Sequence, residues 1–156
     1  MTPAINMLID KKLPHQVLKF VHQPGAGSFA MEAAQKLNID PAQVFKTLVV
    51  ETDDGRLAVG VVPADRMLNL KQLAKALGCK KAAMADKTKV ERTTGYIMGG
   101  VSPLGQKKQL PTVLDASSQS FDTILVSGGK RGLEIQISPS SLCQLLNAKV
   151  AEIGAY

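Results

Sequence analysis

The sequence predicts an α+β fold, with a mixed, mostly antiparallel sheet and interspersed helices in a single domain over residues 1–156. Three observations carry this expectation. Two β-rich runs, 44–52 and 56–62, are joined by Asp53-Asp54-Gly55, a strong hairpin signal. Short amphipathic stretches with capping residues at their ends lie between further β-rich runs. The length of 156 residues is close to one ordinary domain, and no linker is long enough to divide it.

The elements follow in order. Thr2-Pro3 starts a helix, a hydroxyl cap followed by Pro in the first turn, with Ile5, Leu8 and Ile9 on one face. Residues 16–22 read as a strand that Pro24-Gly25-Ala26-Gly27 breaks, and residues 28–38 read as a helix. Asp40-Pro41-Ala42-Gln43 resembles a capping box with Asp in the hydroxyl role. After the hairpin, Asn69 caps a helix whose Leu70, Leu73, Ala74 and Leu77 share a face and which Gly78 closes. A second helix spans 86–94 and ends at Gly95. Short strands are expected at 96–98, Thr112–Asp115, 123–126 and Leu133–Ile137. Ser138-Pro139 begins a last helix with Leu142, Leu145 and Leu146 inward.

Composition removes several classes of function. At 45% hydrophobic and 21% charged, the chain is neither disordered nor membrane-spanning, and no apolar run reaches the length of a transmembrane helix. Cys79 and Cys143 belong to no C-x-x-C pair, which argues against a disulfide scaffold or a zinc knuckle. His15 and His22, both near the N-terminus, are read as loop or strand-end residues. With only these two, a His-based metal or catalytic site is hard to assemble. Cys79 reads as an incidental thiol and Cys143 as core. The start, MTPAINMLIDKK, lacks the features of a signal peptide, so a cytoplasmic location is expected.

The net charge of +6 is uneven. Residues 66–108 hold ten basic side chains against Asp86 and Glu91, a net +8 that leaves −2 for the rest. Such a segment attracts polyanions, or serves as a solvated face for solubility. With 4% aromatic residues there is no stacking platform for single strands.

Lys46 is the most informative position. In Val44-Phe45-Lys46-Thr47-Leu48-Val49-Val50, alternation sets it on one face with Val44, Leu48 and Val50. Such a lysine snorkels outward, guards an edge, or holds an anion in a cleft. The run Gly99-Gly100-Val101-Ser102-Pro103-Leu104-Gly105 can aim backbone N–H groups at an anion, or form a tight turn with a bulge. Ser127-Gly128-Gly129-Lys130-Arg131-Gly132 fails as a phosphate-binding loop. Ile124 replaces its first glycine and Arg131 its Ser/Thr, which leaves a glycine-rich turn between strands. No G-x-S-x-G elbow, H-E-x-x-H or local acid pair points to a nucleophile, a zinc site or a glycosidase.

Together, the TPA start, Val44–Leu48, the run Thr94–Lys108 and Ser127–Gly132 resemble the YbaK/EbsC family of trans-acting aminoacyl-tRNA deacylases, in its Cys-tRNA(Pro) branch. The resemblance spans the chain and keeps motif order. It implies a domain homologous to the editing insertion of bacterial prolyl-tRNA synthetases, with a sheet curled into a barrel-like core. It also implies removal of cysteine from mischarged tRNA(Pro), with no cofactor, no metal and no membrane, in a ternary complex with prolyl-tRNA synthetase. The substrate's own thiol would attack the ester. Lys46 and Gly99 would be the catalytic positions, Lys46 engaging the terminal adenosine or its phosphate and Gly99 offering backbone donors. Phe20, Phe29, Thr47, Gly100, Ser127 and Glu134 would bind substrate. Phe20 stands where relatives often have Tyr and Glu134 where they often have Asp, so those two contacts differ here. The alternatives are an Ala-tRNA(Pro) deacylase of the same superfamily and a non-catalytic nucleic-acid or anion-binding module.

Overall fold

A computed structural model describes residues 1–25 and 28–156; the Ala26-Gly27 half of the expected chain break lies outside the described residues. Among the described residues five α-helices form where the caps say they should: α1 (Pro3–Asp10), α2 (Phe29–Leu37), α3 (Leu70–Leu77), α4 (Lys87–Thr94) and α5 (Pro139–Leu146). The side chains of Thr2, Ser28, Asn69, Asp86 and Ser138 each accept a hydrogen bond from the N–H three residues on. Four helices close on a left-handed residue, at Asn38, Gly78, Gly95 and Asn147. One helix face differs from expectation. In α1 the buried set is Ala4, Ile5 and Leu8, while Ile9 is 56% exposed, because Pro3 and Ala4 pack closely on Gly105.

The described residues form ten strands: β1 (Gln16–Lys19), β2 (Phe45–Thr52), β3 (Leu57–Pro63), β4 (Met67–Leu68), β5 (Ala82–Met84), β6 (Thr112–Asp115), β7 (Ile124–Ser127), β8 (Leu133–Ile137), β9 (Lys149–Ala151) and β10 (Gly154–Ala155). β1 is shorter than the run 16–22. Its ladder ends once the Phe20 N–H donates to Gly132 O, and the Gln23 N–H turns to Glu32. Residues 96–98 form a turn, not a strand: Gly95 and Gly99 both take positive φ, and the Met98 N–H donates to Glu91. The expected capping box is a 3-10 turn, Pro41–Gln43. Asp40 accepts from the Ala42 N–H, but Gln43 donates to Thr123 O instead of reaching back.

The strands pair as a five-stranded sheet β5-β2-β3-β6-β9, a three-stranded sheet β1-β8-β7 and the small ladder β10-β4. Among the ladders of the described residues only β3–β6 and β6–β9 are parallel, so the mixed, mostly antiparallel expectation matches. For the barrel-like curl, the described residues show no closed barrel, only one bridge between the two larger sheets, Val44 to Leu125. The main core fills the space between them, with Phe45, Val49, Val59 and Val61 against Val126, Ile135 and Ile137. α3 covers the other face of the five-stranded sheet through Leu73, which meets Val50, Ala58 and Val62. This packing holds β2, β7 and β8 side by side and fixes what their ends present.

Candidate functional site

Where the two sheets diverge, the first half of β2, the facing ends of β7 and β8 and the start of α2 enclose a cavity of about 290 Å³. That is the low end for a small-molecule site. Its walls are largely apolar, with Phe20, Phe29, Phe45 and Val49 among them. A second hollow, of about 450 Å³, lies beside Arg56, Gln109 and Lys149. Those groups already bond to Asp54, to Pro103 O and to Ala76 O, respectively. The smaller cavity is the better candidate because, among the described residues, it holds the Thr47 hydroxyl without a hydrogen-bond partner and a lysine with one long bond.

Lys46 lines it, and among the described residues its Nζ reaches only Ala64 O, at 3.5 Å. Burial lowers the pKa of this ammonium, partly offset by Asp65. Next to it the Thr47 Oγ1 is buried and, among the described residues, has no hydrogen-bond partner. An unmade bond of this kind costs about 1–3 kcal/mol, a cost that a ligand could remove. Glu134 on β8 is 8% exposed, and burial pushes its carboxyl up to about 8. Ser127 stands opposite Glu134 in the β7–β8 register, and its Oγ accepts the Gly129 N–H at 3.1 Å.

Gly99 could hardly be another residue. Its φ is +95°, and a Cβ there would lie 2.3 Å from Cε2 of Phe29. The Phe29 ring also carries the Arg131 guanidinium 4.1 Å above it and tilts against His22 at 5.3 Å. Gly100 is placed differently from its neighbour. It does not line the cavity, its N–H is bonded to Ile97 O, and its α-carbon packs near Lys130 of the other glycine loop. The N-terminus locks the two loops together. Thr2 Oγ1 donates to Gly128 O, and Gly105 approaches Pro3 so closely that a Cβ would sit 2.6 Å from its carbonyl. The TPA start is thus part of the loop architecture.

Of the eight expected site residues, Lys46, Gly99, Phe20, Phe29, Thr47, Ser127 and Glu134 converge on the cavity and Gly100 lies behind it. None of the ten basic residues of 66–108 lines it; its cations are Lys46, Lys130 and Arg131. His22 lies in a loop, as expected, but it also makes a half-buried pair that the sequence did not show. Its Nδ1 lies 2.6 Å from Glu32, which also accepts the Gln23 N–H at 2.8 Å and lines the cavity. The His22 hydrogen bond holds the Glu32 carboxyl below the usual range. No sequence signal marks a pair ten residues apart across a turn.

An apolar pocket, a desolvated ammonium, a free hydroxyl and a buried acid suit an ester whose carbonyl oxygen gains charge. Among the described residues no cluster of His, Cys, Asp and Glu could hold a metal. The model of the aminoacyl-tRNA editing domain matches residues 24–145. Over 152 residues the chain is 41% identical to a protein of Enterococcus faecalis assigned as a Cys-tRNA(Pro)/Cys-tRNA(Cys) deacylase, EbsC, covering 97% of this chain and 92% of that one. It is 28% identical over 142 residues to the proline–tRNA ligase of Trichlorobacter lovleyi, covering 85% of this chain but only 24% of the ligase. A crystal structure described as a trans-editing enzyme for prolyl-tRNA synthetase superposes with a TM-score of 0.85 at 24% identity, over 99% of this chain and 96% of that one, which speaks for the fold. The chain belongs to the aminoacyl-tRNA editing domain family.

Proposed function

We propose that this editing domain removes cysteine from mischarged Cys-tRNA(Pro) and that the substrate supplies the nucleophile. One observation carries the reading. Neither cysteine and neither histidine lines the cavity, yet the cavity gathers groups suited to stabilising an ester under attack. In the proposed step the cysteinyl sulfur bonds to the ester carbonyl carbon and the bond to the ribose oxygen breaks. The thiol proton ends on that oxygen, giving a cyclic thioester and free tRNA. Lys46 binds the terminal adenosine or its phosphate, Gly99 presents backbone donors, Phe20 and Phe29 wall the amino acid, and Thr47, Ser127 and Glu134 orient it. The basic segment 66–108 contacts the tRNA backbone, and prolyl-tRNA synthetase supplies tRNA identity in a ternary complex in the cytoplasm.

A second reading is removal of alanine from tRNA(Pro) by a domain of the same superfamily. Alanine has no thiol, so that reaction must activate water or a ribose hydroxyl. Deacylation of Cys-tRNA(Pro), Ala-tRNA(Pro) and thiol-blocked Cys-tRNA(Pro) separates the possibilities. The expected result is turnover of the first alone. Equal rates on free and blocked cysteinyl substrates would defeat the thiol mechanism, preference for alanine would favour the second reading, and no turnover of any would leave a binding module.

A further inference from the structure

Glu134 is a buried carboxyl that positioning alone does not explain. It reaches the cavity from β8, in the three-stranded sheet, whereas Lys46 and Thr47 reach it from β2, in the five-stranded one. Across the ladders it faces Leu18 of β1 and Ser127 of β7, neither of which carries charge. The charged side chains that share the cavity are Lys46, Glu32, Lys130 and Arg131. Glu32 is engaged by His22 and Gln23, Arg131 stacks on Phe29, and the Lys46 Nζ turns to Ala64 O. Among the described residues no ion pair or side-chain hydrogen bond reaches the Glu134 carboxyl. A carboxyl held in an apolar wall without a cation or N–H donor is stable there as the neutral acid, which makes it an O–H donor.

We propose that Glu134 is a catalytic residue of this pocket, a neutral carboxylic acid that protonates the departing ribose oxygen. The inference rests on the thiol-attack reading above, and it gives that reaction its proton route. As the S–C bond forms and the C–O bond breaks, Glu134 gives its proton to the ribose oxygen. The resulting carboxylate takes the proton released by the substrate thiol, which restores the acid, so atoms and charge balance with no added reactant. Burial pushes the Glu134 carboxyl up to about 8, which places it in the range useful to a general acid near neutral pH.

The test is single-turnover deacylation of Cys-tRNA(Pro) at saturating enzyme, from pH 6 to 9.5, for the wild type, Glu134→Gln and Glu134→Asp. Glu134→Gln is expected to lower the rate about 100-fold with tRNA binding unchanged, the ordinary scale of general-acid catalysis. It should also remove a component of the wild-type profile that declines as pH rises through about 8. Glu134→Asp retains an acid and is expected to recover part of the rate, with that decline moved in pH. If Glu134→Gln does not fold, the Asp variant's shifted decline carries the test by itself. A Gln variant within threefold of the wild-type rate, or one that binds tRNA weakly but reacts at full rate when saturated, overturns the proposal. An unshifted decline in the Asp variant overturns it too. A wild type inactive on Cys-tRNA(Pro) overturns the underlying reading instead, so the two failures are told apart.

Discussion

Asp115 and Glu134 are both carboxylates withdrawn from water, at 2% and 8% exposure, and the protein treats them in opposite ways. Burial works against ionisation of Asp115, but it is outweighed. Ser117 donates through its hydroxyl and its N–H, and Ile153 and Gly154 donate through theirs, which holds the carboxyl below its usual range. Arg66 lies 3.7 Å away and stacks on Tyr156. Asp115 is therefore a charged anchor that pins the last strand. Among the described residues Glu134 has burial without donors, and burial pushes its carboxyl up to about 8. The lesson is that burial alone does not define a carboxyl's role. What decides it is whether the fold has filled its hydrogen-bonding capacity or left it for a ligand.

This contrast can be broken at several points. The largest effect is expected at Lys46, on the unfilled side. Lys46→Ala removes the ammonium from the pocket and should lower deacylation by at least about 100-fold, the scale of losing one electrostatic stabiliser. Thermal unfolding should scarcely change, since the lysine makes one long hydrogen bond. A variant with near wild-type turnover would remove Lys46 from the site.

On the filled side, Asp115→Ala leaves the Ile153 and Gly154 N–H groups unpaired and should cost about 2–3 kcal/mol of stability. Denaturant unfolding measures this, and the folded fraction should deacylate normally. The two carboxyls also predict pH effects of opposite sign. The folded-state pKa of Asp115 is depressed, so its contribution is present above the unfolded value of about 4 and is lost as pH falls through the folded one. The folded-state pKa of Glu134 is raised to about 8, so its contribution is full below about 4.3 and is lost as pH rises towards about 8. Plots of unfolding free energy against pH should lose part of the acid limb in Asp115→Asn, and part of the decline from pH 5 to 8 in Glu134→Gln. Parallel curves for variant and wild type would refute the assignment.

The smallest effect, and the sharpest, concerns Thr47. Replacing it with Val removes a buried hydroxyl that has no partner, so the fold should be unchanged or more stable by up to about 1 kcal/mol, while activity falls. A destabilised variant would mean that the hydroxyl is already satisfied.

The sequence made one half of this comparison legible and hid the other. The helices could be placed because their caps are local: Thr2, Ser28, Asn69, Asp86 and Ser138 each bond only three residues away. The hairpin was readable for the same reason. β4, β5, β9 and β10 span two or three residues and show no period, so they exist only through the partners that pair with them. Lys46, Gly99 and the Ser127–Gly132 loop stood out because each breaks a local rule, a charge on an apolar face or glycines in series. The proton held by Glu134, the free hydroxyl of Thr47 and the His22–Glu32 pair were invisible. Each depends on what surrounds a group in space, and an unfilled bond leaves no mark in a sequence. Half of the Asp115 anchor was hidden in the same way: Ser117 is local, but Ile153 and Gly154 lie about forty residues further along the chain.

The bond from Thr2 to Gly128 spans 126 positions and ties the first helical turn to a wall of the pocket. Fraying of α1 and opening of the two glycine loops then become a single event, a local unfolding unit with one free energy. Amide protons of the first turn and of Gly128 and Gly129 should accordingly exchange with solvent at a common rate. The pocket's openness would then be set as much by how firmly the chain's first residues dock as by any group that lines it.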